Sequence, residues 1–193
     1  LNGNQFTNTK NTIGCIYIVR DPRNVITSLK NHFEMNDSDA LEFMLNKNKY
    51  TYNYHAENDY SDFQFISSWE NNYKSWKNQK NIPVKFIKYE DLNSKTYEVF
   101  KDLINFINIT SKNQSIFNKN KAQKAIYSSS FDNLKTIESK NGFSESLLSK
   151  TGTKKISFFH LGPKNNWKNI FSEDYQNKLT LKFESNLKEL NYI

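Results

Sequence analysis

The sequence has 193 residues, a length that fits one domain or most of one. Hydrophobic residues make up 36% of it, aromatic residues 15%, and the net charge is +7, so the composition indicates a folded domain with a basic, lysine-rich surface. A single cysteine excludes a disulfide scaffold, three scattered histidines match no zinc spacing, and no apolar run is long enough to span a membrane.

The first predicted element is a short strand from Ile13 to Val19, whose β-branched residues are typical of a parallel strand buried on both faces. Asp21 and Pro22 are a favourable N-cap and first residue for a helix, which we predict to run as far as Met35. A shorter helix is predicted over 40–45. The segment 50–60 is rich in Asn and Tyr and predicts a loop, which we interpret as a mobile lid.

Aromatic and apolar residues recur at three- and four-residue spacing between Phe63 and Trp76, and this spacing predicts a second firm helix. A turn at 81–83 leads into a second predicted strand from Val84 to Tyr89. A helix follows over 97–107. The order strand, helix, helix, strand, helix indicates an α/β fold.

The C-terminal part of the chain is less regular in its pattern. A helix is predicted over 119–127, whereas the Ser-, Lys- and Asn-rich segment 128–166 is predicted to be irregular. The last helix is predicted from Ser172 to Leu190, with Ser172 as its N-cap. No repeat or linker divides the chain, so we expect residues 1–193 to belong to a single domain.

Arginine is the informative residue type, because only two of the 27 basic residues are arginines. Arg20 and Arg23 lie where the first strand meets the first helix, and a guanidinium can bind a phosphate through two hydrogen bonds. Ligands bind at the carboxyl ends of strands in open α/β sheets, and a helix N-terminus favours an anion. Ser28, two turns along the helix, could face the same anion. A plainer alternative stays open, in which the strand-ending arginine pairs with a nearby carboxylate and Ser28 faces solvent.

The segment Ile16–His32, with the sequence IYIVRDPRNVITSLKNH, strongly resembles the 3′-phosphate-binding segment of the cytosolic-type sulfotransferases, which use 3′-phosphoadenylyl sulfate (PAPS). Three further blocks that resemble the family follow in its order: the Ser-Trp helix and Tyr-Glu-Asp-Leu strand (68–92), the adenine-contact stretch (129–138) and the C-terminal block (158–171). The resemblance covers nearly the whole chain. It implies a fold like that of the P-loop NTPases, with a parallel sheet flanked by helices.

The resemblance implies that several residues bind the phosphate end of PAPS and of its product, adenosine 3′,5′-bisphosphate. Arg20 and Ser28 would bind the 3′-phosphate. The backbone N–H of Gly162 would donate a hydrogen bond to the same group.

The resemblance also assigns residues to the adenosine of the nucleotide. Tyr89 would contact the adenine, and the ring of Phe131 would stack on it. Ser129, which stands where the family usually has threonine, would approach the base or the ribose. Without the resemblance, each of these residues would be read as an ordinary packing or surface residue.

The C-terminal block departs from the family at two places. The family's Arg-Lys-Gly is His160-Leu161-Gly162 here, so a permanent cation is lost at the cofactor-binding position of His160, and nearby Lys164 is a candidate to replace it. The family's Gly-Asp-Trp segment begins with Asn165 in this chain.

The largest departure is that the family's Lys-Ser-Gly-Thr-Thr-Trp loop, which holds the 5′-phosphosulfate, has no counterpart in the sequence. The family's catalytic histidine has none either, because His32 lies inside the 3′-phosphate segment and is better interpreted as a packing or surface residue. We therefore expect the C-terminal portion of a sulfotransferase domain, without its N-terminal strands and inactive alone. An unpaired edge of the strand at 13–20 would favour self-association.

The function that the resemblance implies is transfer of a sulfuryl group from PAPS to the hydroxyl or amine of a small-molecule acceptor, in the cytoplasm and without a metal or a membrane partner. Two alternatives remain. The chain could be a non-catalytic module that binds a 3′-phosphonucleotide. It could also be a basic nucleic-acid-binding protein, although no basic run of five or more and no zinc-finger or RNA-binding signature supports that.

Overall fold

A computed structural model describes residues 10–51 and 63–193 of the chain. Its elements, in chain order, are β1 (Cys15–Val19), α1 (Pro22–His32), α2 (Asp37–Leu45), β2 (Tyr50–Thr51), β3 (Gln64–Phe65), α3 (Trp69–Lys77), β4 (Val84–Lys88), α4 (Tyr89–Ser94), α5 (Thr96–Thr110), α6 (Lys119–Ser128), α7 (Phe131–Asn141), α8 (Glu173–Lys182) and α9 (Glu184–Glu189). The predicted lid lies outside the described residues, except for the two residues of β2.

The described residues form two compact units. One contains the described residues up to Arg20 together with Tyr73–Ser130, and the other contains those of Asp21–Asn72 together with Phe131–Ile193. The assignment of residues 1–193 to one domain stays a prediction.

The first unit is built on β1 and β4, which pair in parallel with Cys15 opposite Val84 at one end of the register. The ring of Tyr17 stacks on that of its neighbour Phe86, with 5.3 Å between the centroids. Helix α5 packs closely on the start of β1, because a Cβ added to Gly14 would lie 3.3 Å from the ring of Phe106. This parallel sheet with flanking helices confirms the predicted α/β class.

One feature of β1 differs from the prediction that the strand is buried on both faces. Exposure alternates along the strand, and the side chains of Ile16 and Ile18 are 40% and 48% exposed. Successive side chains of a strand point to opposite faces of the sheet, so the alternation means that the described residues cover one face of β1 and leave the other largely open.

The second unit has a helical core formed by α1, α2, α8, α9 and the segment before α8. Amphipathic helices bury their apolar stripes against one another in such an arrangement. The buried side chains of this core are Ile26, Ala40, Leu41, Met44, Trp167, Phe171, Leu179, Phe183 and Leu187.

The helix predicted from Phe63 to Trp76 is shorter than expected, because α3 begins only at Trp69. The residues before it form β3, which pairs antiparallel with β2. Ser68 starts the helix, since its hydroxyl oxygen accepts the backbone N–H of Asn71 at 3.2 Å in the manner of an N-cap. The aromatic spacing therefore begins about one and a half turns before the first residue of the helix.

The prediction that 128–166 is irregular is wrong in part, because α7 lies within it. Phe131, Leu134 and Ile137 recur at three-residue spacing in α7, but the Ser-, Lys- and Asn-rich composition of the segment favours an irregular structure over this short helical signal.

The last predicted helix is divided in two, with α8 ending and α9 beginning on either side of Phe183. The side chain of Phe183 is fully packed in the core, which holds the chain at this break. Ser172 is the N-cap of α8 by position, but its side chain makes no capping hydrogen bond.

The described ranges contain neither a membrane-spanning helix nor a metal-binding cluster. No helix there is both long and apolar enough to cross a membrane. No group of three or more His, Cys, Asp or Glu side chains is placed there to hold a metal ion.

Candidate functional site

The first unit brings two of the residues assigned by resemblance into contact at the carboxyl end of its sheet. Arg20 follows the last residue of β1, and Tyr89 follows the last residue of β4. Val19 and Lys88, which precede them, are paired in the register. The guanidinium carbon of Arg20 therefore lies over the Tyr89 ring, 4.1 Å from its centroid.

Tyr89 is the first residue of α4 rather than the last residue of a strand, so the predicted strand end is one residue too long. A cation over an aromatic face is stabilised by the quadrupole of the ring, by about 0.5–2 kcal/mol depending on exposure. A guanidinium that lies over an aromatic ring can still bind a phosphate, because its N–H donors lie in the plane of the group.

Ser129 is the C-cap of α6 and is exposed. Its hydroxyl donates to the backbone carbonyl of Ala125 at 2.8 Å, which also accepts the backbone N–H of Ser129 at 3.0 Å. The oxygen of this hydroxyl can still accept a hydrogen bond. The structure thus gives Ser129 a local capping role, and its approach to a base or ribose stays a prediction.

In the second unit, Arg23 is explained by a buried ion pair. Its Nη2 and Nε lie 2.7 Å and 2.9 Å from the two carboxylate oxygens of Asp21, and its Nη1 donates to Thr180 Oγ1 at 3.3 Å. The guanidinium also lies 4.2 Å from the ring centroid of Trp167. The second arginine of the junction, Arg23, is therefore paired with a carboxylate, whereas the plainer alternative for the strand-ending Arg20 stays open.

The N-terminus of α1 is occupied by this same carboxylate. Asp21 is buried, and its Oδ1 accepts the backbone N–H of Arg23 at 2.9 Å, so Asp21 is the N-cap that the sequence predicts. The carboxylate of Asp21 therefore already caps a donor at this helix end, and its charge is balanced by Arg23. That this helix end favours an external anion stays a prediction.

Ser28 is exposed on α1, two turns into the helix. Its hydroxyl lies 3.3 Å from the backbone oxygen of Asn24, to which it donates, and 3.2 Å from the side-chain amide nitrogen of Asn165, from which it accepts. Ser28 is thus held by a polar network within this unit, and it is not only a surface hydroxyl.

Phe131 and Gly162 are also brought into contact within the second unit. Phe131 is the first residue of α7, and Gly162 opens a 3₁₀ turn with a φ of +52°. A Cβ on Gly162 would lie 2.2 Å from Cε2 of the Phe131 ring, a distance that no real contact tolerates. The position requires glycine both for its left-handed backbone and for the ring that lies against it.

His160 is exposed, just before this turn. Its backbone oxygen accepts a hydrogen bond from the ammonium of Lys135 at 3.0 Å. The same ammonium lies 5.6 Å from the centroid of the Phe131 ring. A cation from α7 therefore lies beside the segment in which the family's arginine is replaced.

Glu138, one helical turn beyond Lys135, fastens the segment before His160 to α7. Its carboxylate accepts hydrogen bonds from the hydroxyls of Ser146 and Ser157 at 2.7 and 2.8 Å, and from the backbone N–H groups of Phe158 and Phe159 at 2.7 and 3.0 Å. Desolvation alone would raise the pKa of Glu138, but these hydrogen bonds outweigh it and lower the pKa to about 2.

His32 lies at the C-terminal end of α1 and packs edge-on against two aromatic rings. The centroids of Phe33 and Phe158 lie 4.6 and 5.8 Å from that of its imidazole. Burial lowers the pKa of His32, although Glu145 acts in the opposite direction. This environment agrees with the interpretation of His32 as a packing residue.

Two residues make contacts near the site that the sequence analysis does not predict. Asp21 is predicted as an N-cap, but its ion pair with Arg23 is not. Asn165 contacts three residues of α1, and the signal that could have found it was its replacement of the family's glycine.

Comparison with known proteins connects this geometry to a family. Residues 5–191 match the family model of the sulfotransferase domain. A crystal structure of mouse sulfotransferase SULT7A1 complexed with PAP matches the chain with a TM-score of 0.58 at 21% sequence identity, over 89% of this chain. The match covers 58% of the mouse chain, so this chain spans less than two thirds of that protein's length. No curated protein matches the sequence.

The structural likeness confirms the fold that the resemblance implied, a P-loop-like α/β arrangement with a parallel sheet flanked by helices. The family model extends over all but a few residues at each end of the sequence. The chain belongs to the sulfotransferase domain family.

Proposed function

We propose that this chain takes part in the transfer of a sulfuryl group from PAPS to the hydroxyl or amine of a small-molecule acceptor. Membership of the sulfotransferase domain family supports the reaction class. The mouse sulfotransferase of similar fold was crystallised with PAP, which supports a 3′-phosphoadenosine nucleotide as the cofactor. The product nucleotide is then adenosine 3′,5′-bisphosphate.

The contact between Arg20 and Tyr89 is the observation on which this proposal chiefly rests. Both side chains lie at the carboxyl ends of neighbouring parallel strands, where ligands bind in open α/β sheets. We propose that Arg20 binds the 3′-phosphate through its in-plane N–H donors while Tyr89 holds the guanidinium by its face and contacts the adenine. A lysine at position 20 would supply the charge but not the planar pair of donors.

In the second unit, we propose that the hydroxyl of Ser28 and the backbone N–H of Gly162 donate to the 3′-phosphate. The ring of Phe131, held against Gly162 by its left-handed turn, would stack on the adenine. His160 takes the place of the family's arginine, and the exposed Lys164 nearby would supply part of the lost positive charge.

The reaction that we propose is an in-line displacement at sulfur. The bond from sulfur to the bridging phosphate oxygen breaks as the bond from sulfur to the acceptor's oxygen or nitrogen forms, and the acceptor's proton must pass to a base. By resemblance, that base and the phosphosulfate loop have no counterpart in the sequence. We therefore propose that these residues by themselves bind the nucleotide but do not transfer the sulfuryl group.

Calorimetric titration of the chain with adenosine 3′,5′-bisphosphate and, separately, with adenosine 5′-phosphate tests this proposal. We expect the bisphosphate to bind more tightly, and Arg20→Ala to abolish that preference. Arg20→Lys should recover only part of it. Lys124→Ala, which removes one exposed charge from α6 of the same unit, is the control and should leave the preference unchanged.

Equal affinity for the two nucleotides, or a preference that survives in Arg20→Ala, would contradict the proposal. Salt dependence distinguishes a single nucleotide site from the nucleic-acid alternative, since binding across many phosphates falls steeply with the logarithm of salt concentration. An assay of PAPS-dependent transfer with the same chain tests the expected inactivity, which any measurable turnover would overturn.

A further inference from the structure

Asn165 is a buried polar residue that connects the C-terminal block to helix α1 in the second unit. Only 7% of its surface is exposed. Its Nδ2 lies 3.0 Å from the backbone oxygen of Asn24 and 3.2 Å from Ser28 Oγ, and its Oδ1 lies 2.7 Å from Thr27 Oγ1. These three contacts place one amide group over the turn of α1 that presents Ser28.

The orientation of this amide follows from its partners. A backbone carbonyl can only accept a hydrogen bond, so the amide atom beside the oxygen of Asn24 has to be the nitrogen. The same nitrogen reaches Ser28, and it therefore donates to the Ser28 oxygen. Ser28 is thereby kept as an acceptor toward Asn165, and its single proton is left for another partner.

That proton is directed, in the absence of a ligand, to the carbonyl of Asn24 across a long distance of 3.3 Å. The same carbonyl accepts a shorter hydrogen bond from Asn165 Nδ2 at 3.0 Å, while the single proton of Thr27 Oγ1 serves Asn165 Oδ1 at 2.7 Å. Turning the Ser28 proton toward a ligand therefore leaves no buried carbonyl without a partner, and its free-energy cost is small.

We propose that Asn165 is a positioning residue for the 3′-phosphate: by donating to Ser28 Oγ it fixes this hydroxyl as a hydrogen-bond donor to a phosphate oxygen. A hydroxyl that accepts a hydrogen bond is polarised and becomes a stronger donor. The family's block has glycine at this position, and glycine has no side chain that could donate this hydrogen bond. The inference rests on the proposed function, because it presumes that Ser28 binds the nucleotide's 3′-phosphate.

The test is a double-mutant cycle between Asn165 and Ser28, read as the ratio of the dissociation constants for adenosine 5′-phosphate and adenosine 3′,5′-bisphosphate. We expect Asn165→Ala to lower this preference about five- to tenfold, the size of one hydrogen bond, without changing the affinity for the 5′-phosphate. In the Ser28→Ala background, Asn165→Ala should have no further effect. Asn169→Ala, at an exposed asparagine nearby, is the matched control and should behave as the wild type.

A purely structural role for Asn165 predicts a different pattern, since it would weaken both nucleotides alike or act additively with Ser28→Ala. Either result would overturn the inference while leaving the wild-type preference, and so the proposed function, intact. Equal affinity of the wild type for both nucleotides would overturn the two together. If Asn165→Ala does not fold, Asn165→Gly restores the family's residue at this position, and the same two patterns decide the question.

Discussion

Arg20 and Tyr89 meet because the residues before them, Val19 and Lys88, are opposite each other in a parallel sheet. Parallel strands end at the same edge, so the two residues that follow them are brought within reach although they lie 69 positions apart in the sequence. The guanidinium carbon lies 4.1 Å from the ring centroid. The register of β1 and β4 therefore places Arg20, which we propose to bind the phosphate, beside the Tyr89 ring.

Changing Tyr89 separates the role of its ring from that of its hydroxyl. We expect Tyr89→Ala to weaken the binding of adenosine 3′,5′-bisphosphate about two- to thirtyfold, as loss of a cation–π contact of ~0.5–2 kcal/mol implies. Tyr89→Phe keeps the aromatic face and should retain most of the affinity. Calorimetry on both variants measures the difference. If the alanine and phenylalanine variants lose affinity equally, the ring does not hold Arg20 in place.

The two arginines are expected to differ sharply in their contribution to stability. Arg23→Met should lower the free energy of unfolding by about 3–5 kcal/mol, because it leaves the buried carboxylate of Asp21 without its partner. Arg20→Ala should cost less, because the Arg20 side chain is only partly buried and its contact with the Tyr89 ring contributes about 0.5–2 kcal/mol. Unfolding in urea, followed by circular dichroism, measures both changes.

A rescue variant makes this contrast more specific. Asn is as good an N-cap as Asp, so Asp21→Asn combined with Arg23→Met removes the unpaired charge and keeps the helix start. The double variant should be more stable than Arg23→Met alone. Similar losses in Arg20→Ala and Arg23→Met would contradict the division of the two residues into a ligand-binding arginine and a structural one.

Gly162 is expected to tolerate no side chain, and Gly152 provides the matched comparison. Both have positive φ angles, +52° and +68°, so alanine at either position carries the left-handed backbone penalty of about 1–2 kcal/mol. A Cβ at Gly152 would meet nothing within 4 Å, whereas one at Gly162 would overlap the ring of Phe131. Gly162→Ala should therefore lose a further ~1–3 kcal/mol through overpacking.

Thermal unfolding of the two alanine variants checks this difference. Gly162→Ala should also weaken the binding of adenosine 3′,5′-bisphosphate, because the ring displaced from Gly162 is the one that we propose to stack on the adenine. Equal melting temperatures for Gly162→Ala and Gly152→Ala would show that the Phe131 ring yields without cost.

We predict that the chain self-associates through the edge of β1. Ile16 and Ile18 are exposed on a strand that pairs with one neighbour within the described part of the chain, and such an edge can pair with a second copy. We expect the average mass from light scattering to rise with concentration. Ile18→Lys should reduce this rise, because a charge on an edge strand opposes pairing. A concentration-independent monomer in the wild type would contradict the prediction.

Sequence patterns predict the strands and helices whose residue types suit the structure that they adopt. The β-branched run before Arg20 and the Asp21-Pro22 cap predict β1 and the start of α1, and both are found. The helix predicted before α3 is wrong, because Phe63 and Ile66, which precede the Ser68 cap, share the three- and four-residue spacing of the apolar residues of the helix itself. Helix α7 is not predicted because its short apolar spacing, Phe131, Leu134 and Ile137, lies within a Ser-, Lys- and Asn-rich segment.

The candidate site was predicted by resemblance to a much greater extent than by spacing. Spacing alone singled out both arginines and could not tell which one pairs with a carboxylate, since the Asp21–Arg23 ion pair depends on side-chain packing against Trp167. The network of Asn165 with Ser28 joins segments 137 residues apart, and no local pattern reports such a contact.

Glu138 gives a prediction for acid stability. Its pKa is lowered from its ordinary value of about 4.5 to about 2, so the folded state holds the carboxylate ionised while the unfolded state takes up a proton. The stabilising contribution is complete above pH 4.5 and is lost progressively as the pH falls toward 2. The free energy of unfolding of the wild type should therefore fall across this window more steeply than that of Glu138→Gln.

Urea unfolding at a series of pH values between 2 and 6 measures both slopes. Glu42→Gln, at an exposed carboxylate in the middle of α2, is the control and should retain the wild-type slope. At neutral pH, Glu138→Gln should also loosen the segment 157–159, because an amide cannot accept all four hydrogen bonds that the carboxylate receives. Faster amide exchange at Phe158 and Phe159 would report this loosening, whereas unchanged exchange together with an unchanged acid slope would show that Glu138 does not fasten this segment to α7.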